Sequence, residues 1–383
     1  METQASTTQV SLARGIDAAK LERELNVMWG EMSAPEPEGA AGVVRACVLN
    51  LVVYAEGAEE RAEVDEHLSE VVERHPCRAI VINAEREASG PRLEAFISTR
   101  CQLSSRGSKR ICGEQITIEA AGQAVDTASS AVAPLLVPDV PVFLWWKDIP
   151  HYEDKLFTRL SAMADRVVID SASFDRPHED LLRLAELLED GRLRLSDLNW
   201  GRLTSWRALV AGFWDVADYR ESLARVEKIV IEYDPPDRSH EEIAPKALLA
   251  LGWMASRLGW EVADEPATFD ESRARFILKD RGRKIEALLV PTDDVAGRDG
   301  WLTSLTISTE AGDEFFVELQ LEERRLRTGA RTQGGCHTCG RVLGYETRTE
   351  GARLSAELDI LSRDDVYEKA VAAAARLLAA RGA

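Results

Sequence analysis

No G-x-G-x-x-G turn and no G-x-x-x-x-G-K-[ST] loop occurs anywhere in the 383 residues. The glycine turns that let a backbone approach a pyrophosphate are therefore missing, which argues against an independent dinucleotide-dependent dehydrogenase and against a P-loop NTPase. A G-x-S-x-G nucleophile elbow and an H-E-x-x-H zinc motif are absent as well. Positive charge is in short supply: 47 Lys and Arg face 66 Asp and Glu, a net charge of −19. A surface this acidic repels phosphate backbones and anionic lipid, so neither a nucleic acid nor a membrane is expected as partner. Long apolar runs are lacking too. The stretch Pro134–Trp146 is broken by proline and by Asp139, and it falls short of the ~20 residues of a membrane span. The first fifteen residues have no apolar core of the signal-peptide kind, and a cytoplasmic location is expected. Six cysteines and six histidines leave little for a disulfide framework or for proton chemistry.

What is present alternates between two periods. Residues 1–15 are polar and aperiodic and are expected to be a disordered tail. Ile16, Leu21, Leu25 and Met28 share a helical spacing over Ile16–Met32, and the Pro- and Gly-containing linker Ser33–Ala41 ends that helix. Val43–Ala55, Cys77–Ala84, Val140–Trp146 and Arg166–Asp170 read as strands. Glu59–Arg74, Ala124–Leu136 and Glu153–Ala164 read as helices. Leu93–Leu103 and Ile111–Ala120, joined by the short loop Ser104–Arg110, predict an antiparallel hairpin. Strands alternating with helices imply an α/β domain over residues 16–175 with a mixed, mostly parallel sheet. Its boundary falls near Ser171–Pro177. Residues 176–383 then hold a helical connector (Pro177–Asp190 and Leu198–Leu223) and an α+β domain. In that domain Val226–Tyr233 is a strand and His240–Leu258 a helix. Thr268–Leu278, Lys284–Pro291, Trp301–Thr309 and Glu314–Leu321 form an antiparallel meander, and Asp364–Arg381 is a closing helix.

Few clusters could carry chemistry. Arg100, Arg106, Lys109 and Arg110 collect around the hairpin loop, which is either a solvated loop, a partner contact or an anion site. A sugar-phosphate enzyme, lactonase-like, would use these cations for the phosphate and an acid such as Glu114 as base. Cys336 and Cys339 form a C-x-x-C between glycines, open to three readings: structural turn, half of a zinc site, or redox pair. No second C-x-x-C exists to complete a zinc site, Cys101 and Cys112 being 11 residues apart, and no metal is assigned. His75-Pro76-Cys77 reads as packing, because a proline separates the imidazole from the thiol. Nine tryptophans stand out. Trp145 and Trp146 are neighbours in a strand and must face opposite sides, while Trp200, Trp206 and Trp214 follow on the helical segment.

The blocks His75–Val81 (HPCRAIV), Leu135–Trp146 (LLVPDVPVFLWW) and Ser196–Arg207 (SDLNWGRLTSWR) closely resemble the glucose-6-phosphate dehydrogenase assembly protein family over roughly residues 40–370. The resemblance implies a non-catalytic protein with no cofactor of its own. Such a protein binds glucose-6-phosphate dehydrogenase, promotes its active oligomer and acts allosterically on the oxidative pentose phosphate pathway. The candidate contacts are then Trp145, Trp146, Asn199, Trp200, Arg202, Trp206 and Arg207, because Trp and Arg dominate interface hot spots. Asp197 is positioned to cap the helix that carries the last five. The family's link to thioredoxin in photosynthetic relatives makes thioredoxin a second candidate partner and Cys336 and Cys339 candidate redox residues.

Overall fold

A computed structural model of the chain describes residues 13–14, 16–32, 42–103, 109–263, 265–270, 273–295, 297–332, 335–337, 341–345 and 348–380. Most of the expected tail lies outside these residues. Two compact units divide the chain, and neither is contiguous. The first holds residues up to Ile169 together with Arg192–Ser196 and Arg348–Arg363; the second holds Asp170–Gly191, Asp197–Thr347 and Asp364–Ala383.

In the first unit the elements are β1 (Ala13–Arg14), α1 (Ala18–Met32), β2 (Gly42–Arg45), β3 (Leu49–Glu56), α2 (Gly57–Arg74), β4 (Cys77–Glu85), β5 (Arg92–Leu103) and β6 (Lys109–Ala121). After them come α3 (Ala128–Val132), β7 (Val142–Trp146), α4 (Lys155–Ser161) and β8 (Arg166–Ile169). The sheet order is β1-β5-β6-β4-β3-β7-β8, with β2 added to β6. β6, β4, β3, β7 and β8 run parallel. β5 folds back antiparallel on β6 as the expected hairpin. The near-continuous apolar runs of β3 and β4 follow from this placement, since a central parallel strand is covered on both faces. Gly57, at φ 79°, turns the chain from β3 into α2 in a backbone conformation that a side chain would resist.

Three sequence expectations need correction here. Val43–Ala55 is two strands, because Arg45 ends the pairing with β6 before Leu49 starts the pairing with β4. Ala124–Leu136 is three short pieces, with only Ala128–Val132 a true α-helix, since Pro134 cannot donate within one continuous helix. Six cysteines left little for a disulfide framework, yet Cys101 and Cys112 are paired. They sit directly opposite each other on β5 and β6, with Cα atoms 4.1 Å apart, and form a disulfide.

The second unit opens with α5 (Pro177–Glu189). β9 (Leu195–Asp197) ends the first sheet, and α6 (Leu198–Arg202), α7 (Thr204–Phe213) and α8 (Arg220–Leu223) follow. Next come β10 (Val226–Tyr233), α9 (Pro245–Leu258), β11 (Glu261–Val262), β12 (Thr268–Asp270), β13 (Arg273–Asp280), β14 (Arg283–Pro291), β15 (Leu302–Thr309) and β16 (Glu314–Gln320). β17 (Arg325–Thr332), β18 (Gly335–His337) and β19 (Val342–Gly344) extend that sheet. α10 (Glu350–Leu358) returns to the first unit, where it packs on α2, and α11 (Asp365–Ala379) packs on α9 and α5 in the second. The order is β11-β13-β14-β10-β15-β16-β17-β18, antiparallel except for the parallel pair β10–β14. The expected meander is therefore present, interrupted by the central insertion of β10. α9 starts at Pro245 and not at His240, proline being suited to a first helical position. It ends where expected, at Gly259 in the left-handed conformation. Gly252 lets α9 and α11 close on each other, because a Cβ there would overlap the Ala370 carbonyl.

Candidate functional site

In an open α/β sheet, ligands bind outside the carboxyl ends of the strands where the strand order reverses. That reversal falls between β3 and β7. Here the Tyr54 ring stacks on Trp146 at 4.0 Å, and Trp146 meets Phe157 edge-on at 5.1 Å. The Arg86 guanidinium donates to the Tyr54 hydroxyl at 3.0 Å and to Asp154 at 2.6 Å. Tyr54 in turn donates to Glu56 at 2.9 Å. The Glu60 carboxylate accepts the Glu56 backbone N–H at 2.7 Å and so closes the start of α2. Burial pushes the Tyr54 phenol and the Asp148 and Glu60 carboxyls up from their ordinary values. Lys147 donates to Glu63 and Glu350 at 2.8 and 3.3 Å. A pyrophosphate at the amino end of α2 would meet Glu56, Glu59 and Glu60, with one glycine where three are needed and a stacked aromatic pair in the crevice. The residues present do not fit a dinucleotide.

The second cluster is built by the segment from Asp197 onward. Asp197 caps α6 as its spacing predicts: Oδ1 accepts the backbone N–H groups of Asn199 and Ser171, each at 2.9 Å. Oδ2 accepts the Ser171 hydroxyl at 2.7 Å and the Tyr367 hydroxyl at 3.2 Å. Burial, reinforced by the nearby Asp170 charge, pushes the Asp197 carboxyl up to about 6. Asp170 goes the other way. Burial would raise it, but Arg202 grips it through two bonds of 2.6 and 2.7 Å and holds it below the ordinary range. The Trp200 indole donates to Asp364 at 2.9 Å, and Asp364 caps α11. The Arg207 guanidinium lies 3.6 Å above the Trp200 ring.

These placements change the role of the expected contacts. Trp145, Trp146, Asn199, Trp200 and Trp206 are at most 4% exposed. Both faces of β7 are covered, so its two tryptophans pack in opposite layers; Trp200 is held by Asp364 and Tyr367, and Trp206 is buried in α7. A partner cannot reach these side chains in the folded chain. Arg202 is tied to Asp170, and Arg207 lies on Trp200. The hairpin cations are not gathered into an anion site among the described residues. Arg100 is spent on Asp65, Ser69 and Gln115 at 2.5, 2.9 and 2.5 Å; Lys109 and Arg110 open β6, and Arg106 lies outside the described residues. Glu114 is 4% exposed and accepts from Trp29, Arg45 and Arg78 at 2.6, 2.6 and 2.7 Å, which leaves it no lone pair aimed at a substrate. His75 donates to the Ser355 carbonyl at 2.9 Å, and burial pushes the Cys77 thiol up to about 12, so the two do not form a nucleophile pair. Cys336 lies in β18 opposite Arg331, and Cys339 lies outside the described residues. No described helix is long and apolar enough to cross a membrane.

Two family models match successive stretches of the chain. One, described as the glucose-6-phosphate dehydrogenase subunit N-terminal domain, matches residues 69–186; the other, the C-terminal domain of the same subunit, matches residues 193–371. The chain belongs to this family. Relatives called OpcA, named for the OxPP cycle, come from Nostoc punctiforme (32% identical over 80% of this chain and 66% of that one) and Synechococcus elongatus (29% over 81% and 70%). A third, from Synechocystis, is 29% identical over 78% of this chain and 62% of that one, so the chain spans about two thirds of these relatives' length. Among solved structures, a 3-ketoreductase from Actinomadura kijaniata matches with TM-score 0.47 and 9% identity over 88% of this chain and 96% of that one. A levoglucosan dehydrogenase matches with TM-score 0.48 and 9% identity over 87% and 96%. Likeness at that level carries no property across.

Proposed function

We propose that this chain is a non-catalytic partner of glucose-6-phosphate dehydrogenase that binds the enzyme, favours its active oligomer and so acts on the oxidative pentose phosphate pathway. The observation that carries the reading is the pair of matches, which place both halves of the chain in one family described by that dehydrogenase. The closed carboxyl edge of the first sheet supports it, since an aromatic stack and three glutamates occupy the position where a dehydrogenase of this strand order would need glycines. The engaged Arg100 and Glu114 weigh against the sugar-phosphate alternative. A chain that binds the active conformation of an enzyme better than the inactive one shifts the population toward it, and coupling of about 1–3 kcal/mol corresponds to about 5–150-fold. The test is a titration of purified dehydrogenase with the chain, recording Vmax and apparent substrate affinity. A saturable change in either supports the reading. No change at micromolar chain, or turnover of glucose 6-phosphate by the chain alone, contradicts it.

A further inference from the structure

Within the second unit, α7, α8, α9 and β15 surround a cavity of about 230 Å³. Three of the nine tryptophans line it, together with Met254, Arg257 and Ala211. Trp214 and Trp253 are half-buried, whereas Trp260 is only 7% exposed. The floor is apolar and fully packed: Val226 and Ile307 are each 1% exposed. Two donors at this cavity have no protein partner among the described residues: the exposed Arg257 guanidinium and the Trp260 indole N–H. Arg257 is the one charged side chain among the described residues that line the cavity. Its place in the last turn of α9 gives it some favourable interaction with the helix dipole, but that leaves its fork of donors open.

Size decides between occupants. Pockets that take whole small molecules start at about 300 Å³, so this one holds a single large side chain better than a metabolite. Half-exposed tryptophans beside an arginine are also the composition of a protein-binding hot spot. We propose that this pocket is the docking site for a partner-protein segment that presents one large apolar side chain next to a carboxylate. The apolar group fills the tryptophan-lined cavity. The carboxylate pairs with Arg257 and lies within reach of the Trp260 donor. The identity of the partner as glucose-6-phosphate dehydrogenase rests on the function proposed above; the chemistry of the segment does not.

The test measures affinity of the full chain for the dehydrogenase by calorimetry, for the unaltered chain and for Arg257→Glu, Arg257→Lys and Ala211→Trp. Ala211 is exposed and lines the cavity, so a tryptophan there occupies it. Arg257→Glu and Ala211→Trp are expected to weaken binding at least tenfold, and Arg257→Lys by less, with melting temperatures unchanged. Affinities within twofold of the unaltered chain for both overturn the docking site while leaving the proposed function standing. If the unaltered chain does not bind the dehydrogenase, that function fails and a second arm decides the pocket. There, acetyl-Phe-Glu-amide is titrated against tryptophan fluorescence. A saturable change that Arg257→Glu abolishes supports the site, and no change overturns it. Binding of 3-phenylpropionate as tight as the dipeptide, with the complex indifferent to Arg257→Glu, assigns the cavity to a small acid and overturns the proposal.

Discussion

Asp197→Asn tests the buried polar knot of the second unit through pH. Asp197 is fully enclosed, and its carboxyl titrates at about 6 against an ordinary value of 3.8. The folded chain therefore holds the Asp197 proton more tightly than the unfolded chain does. The stability this group contributes is full below about pH 4 and is lost as pH rises through 6. A raise of about two units at 1.36 kcal/mol each amounts to about 3 kcal/mol. Asparagine keeps an acceptor for the Asn199 and Ser171 N–H groups and has no ionisation to lose. Urea unfolding of both proteins at intervals from pH 4 to pH 8 should thus show their stability difference moving by about 3 kcal/mol, in favour of the variant as pH rises. For a cooperative unit of this size, that corresponds to a relative shift of about 6–12 °C in melting temperature. Asp170, held low by Arg202, titrates in both proteins and largely cancels in the difference. Parallel curves across the whole range would refute the assignment of a raised carboxyl to Asp197.

Further expectations concern the other buried groups. Trp200→Phe removes the donor to Asp364 and should destabilise the chain by about 1.5–3 kcal/mol, read by thermal melting, with dehydrogenase affinity of the folded variant unchanged. Glu114→Gln takes one of two carboxylates from Arg78, itself 3% exposed, and leaves Glu22 as the other; a loss of about 1.5–3 kcal/mol in urea unfolding is expected. Reduction of the Cys101–Cys112 bond, or Cys101→Ser with Cys112→Ser, opens a short loop whose closure is worth about 3 kcal/mol. A melting temperature unmoved by reductant would contradict that figure.

Element types were legible wherever the periodicity was strong. The β3–α2–β4 unit, the β5–β6 hairpin and the end of α9 at Gly259 follow from apolar runs, a short polar loop and a glycine stop. Segments that hydrophobic pattern underdetermines were not. β17 (RLRTGART) is charged on one face, and α10 is short and follows a glycine-rich stretch, so neither carries a clear signal. The Cys101–Cys112 bridge was legible only through register, which pairs the two residues across the hairpin. The tryptophans show the limit most clearly. Residue type marked Trp145, Trp146, Trp200 and Trp206 as possible anchors, but burial depends on which faces are covered. Trp145 and Trp146 lie in a strand covered on both sides, while Trp214 and Trp253 border an open cavity. A tryptophan and an arginine four residues apart near a helix end, Trp253 and Arg257, were the signal available, since that spacing places both on one helix face.

The central claim is physical association with glucose-6-phosphate dehydrogenase. Sedimentation velocity of the dehydrogenase, alone and with a molar excess of this chain, measures it without recourse to activity. The account predicts that the chain travels with the dehydrogenase and that the enzyme's boundary moves to a larger species. Two independent boundaries, each at the position of the isolated protein at micromolar concentrations, would contradict it.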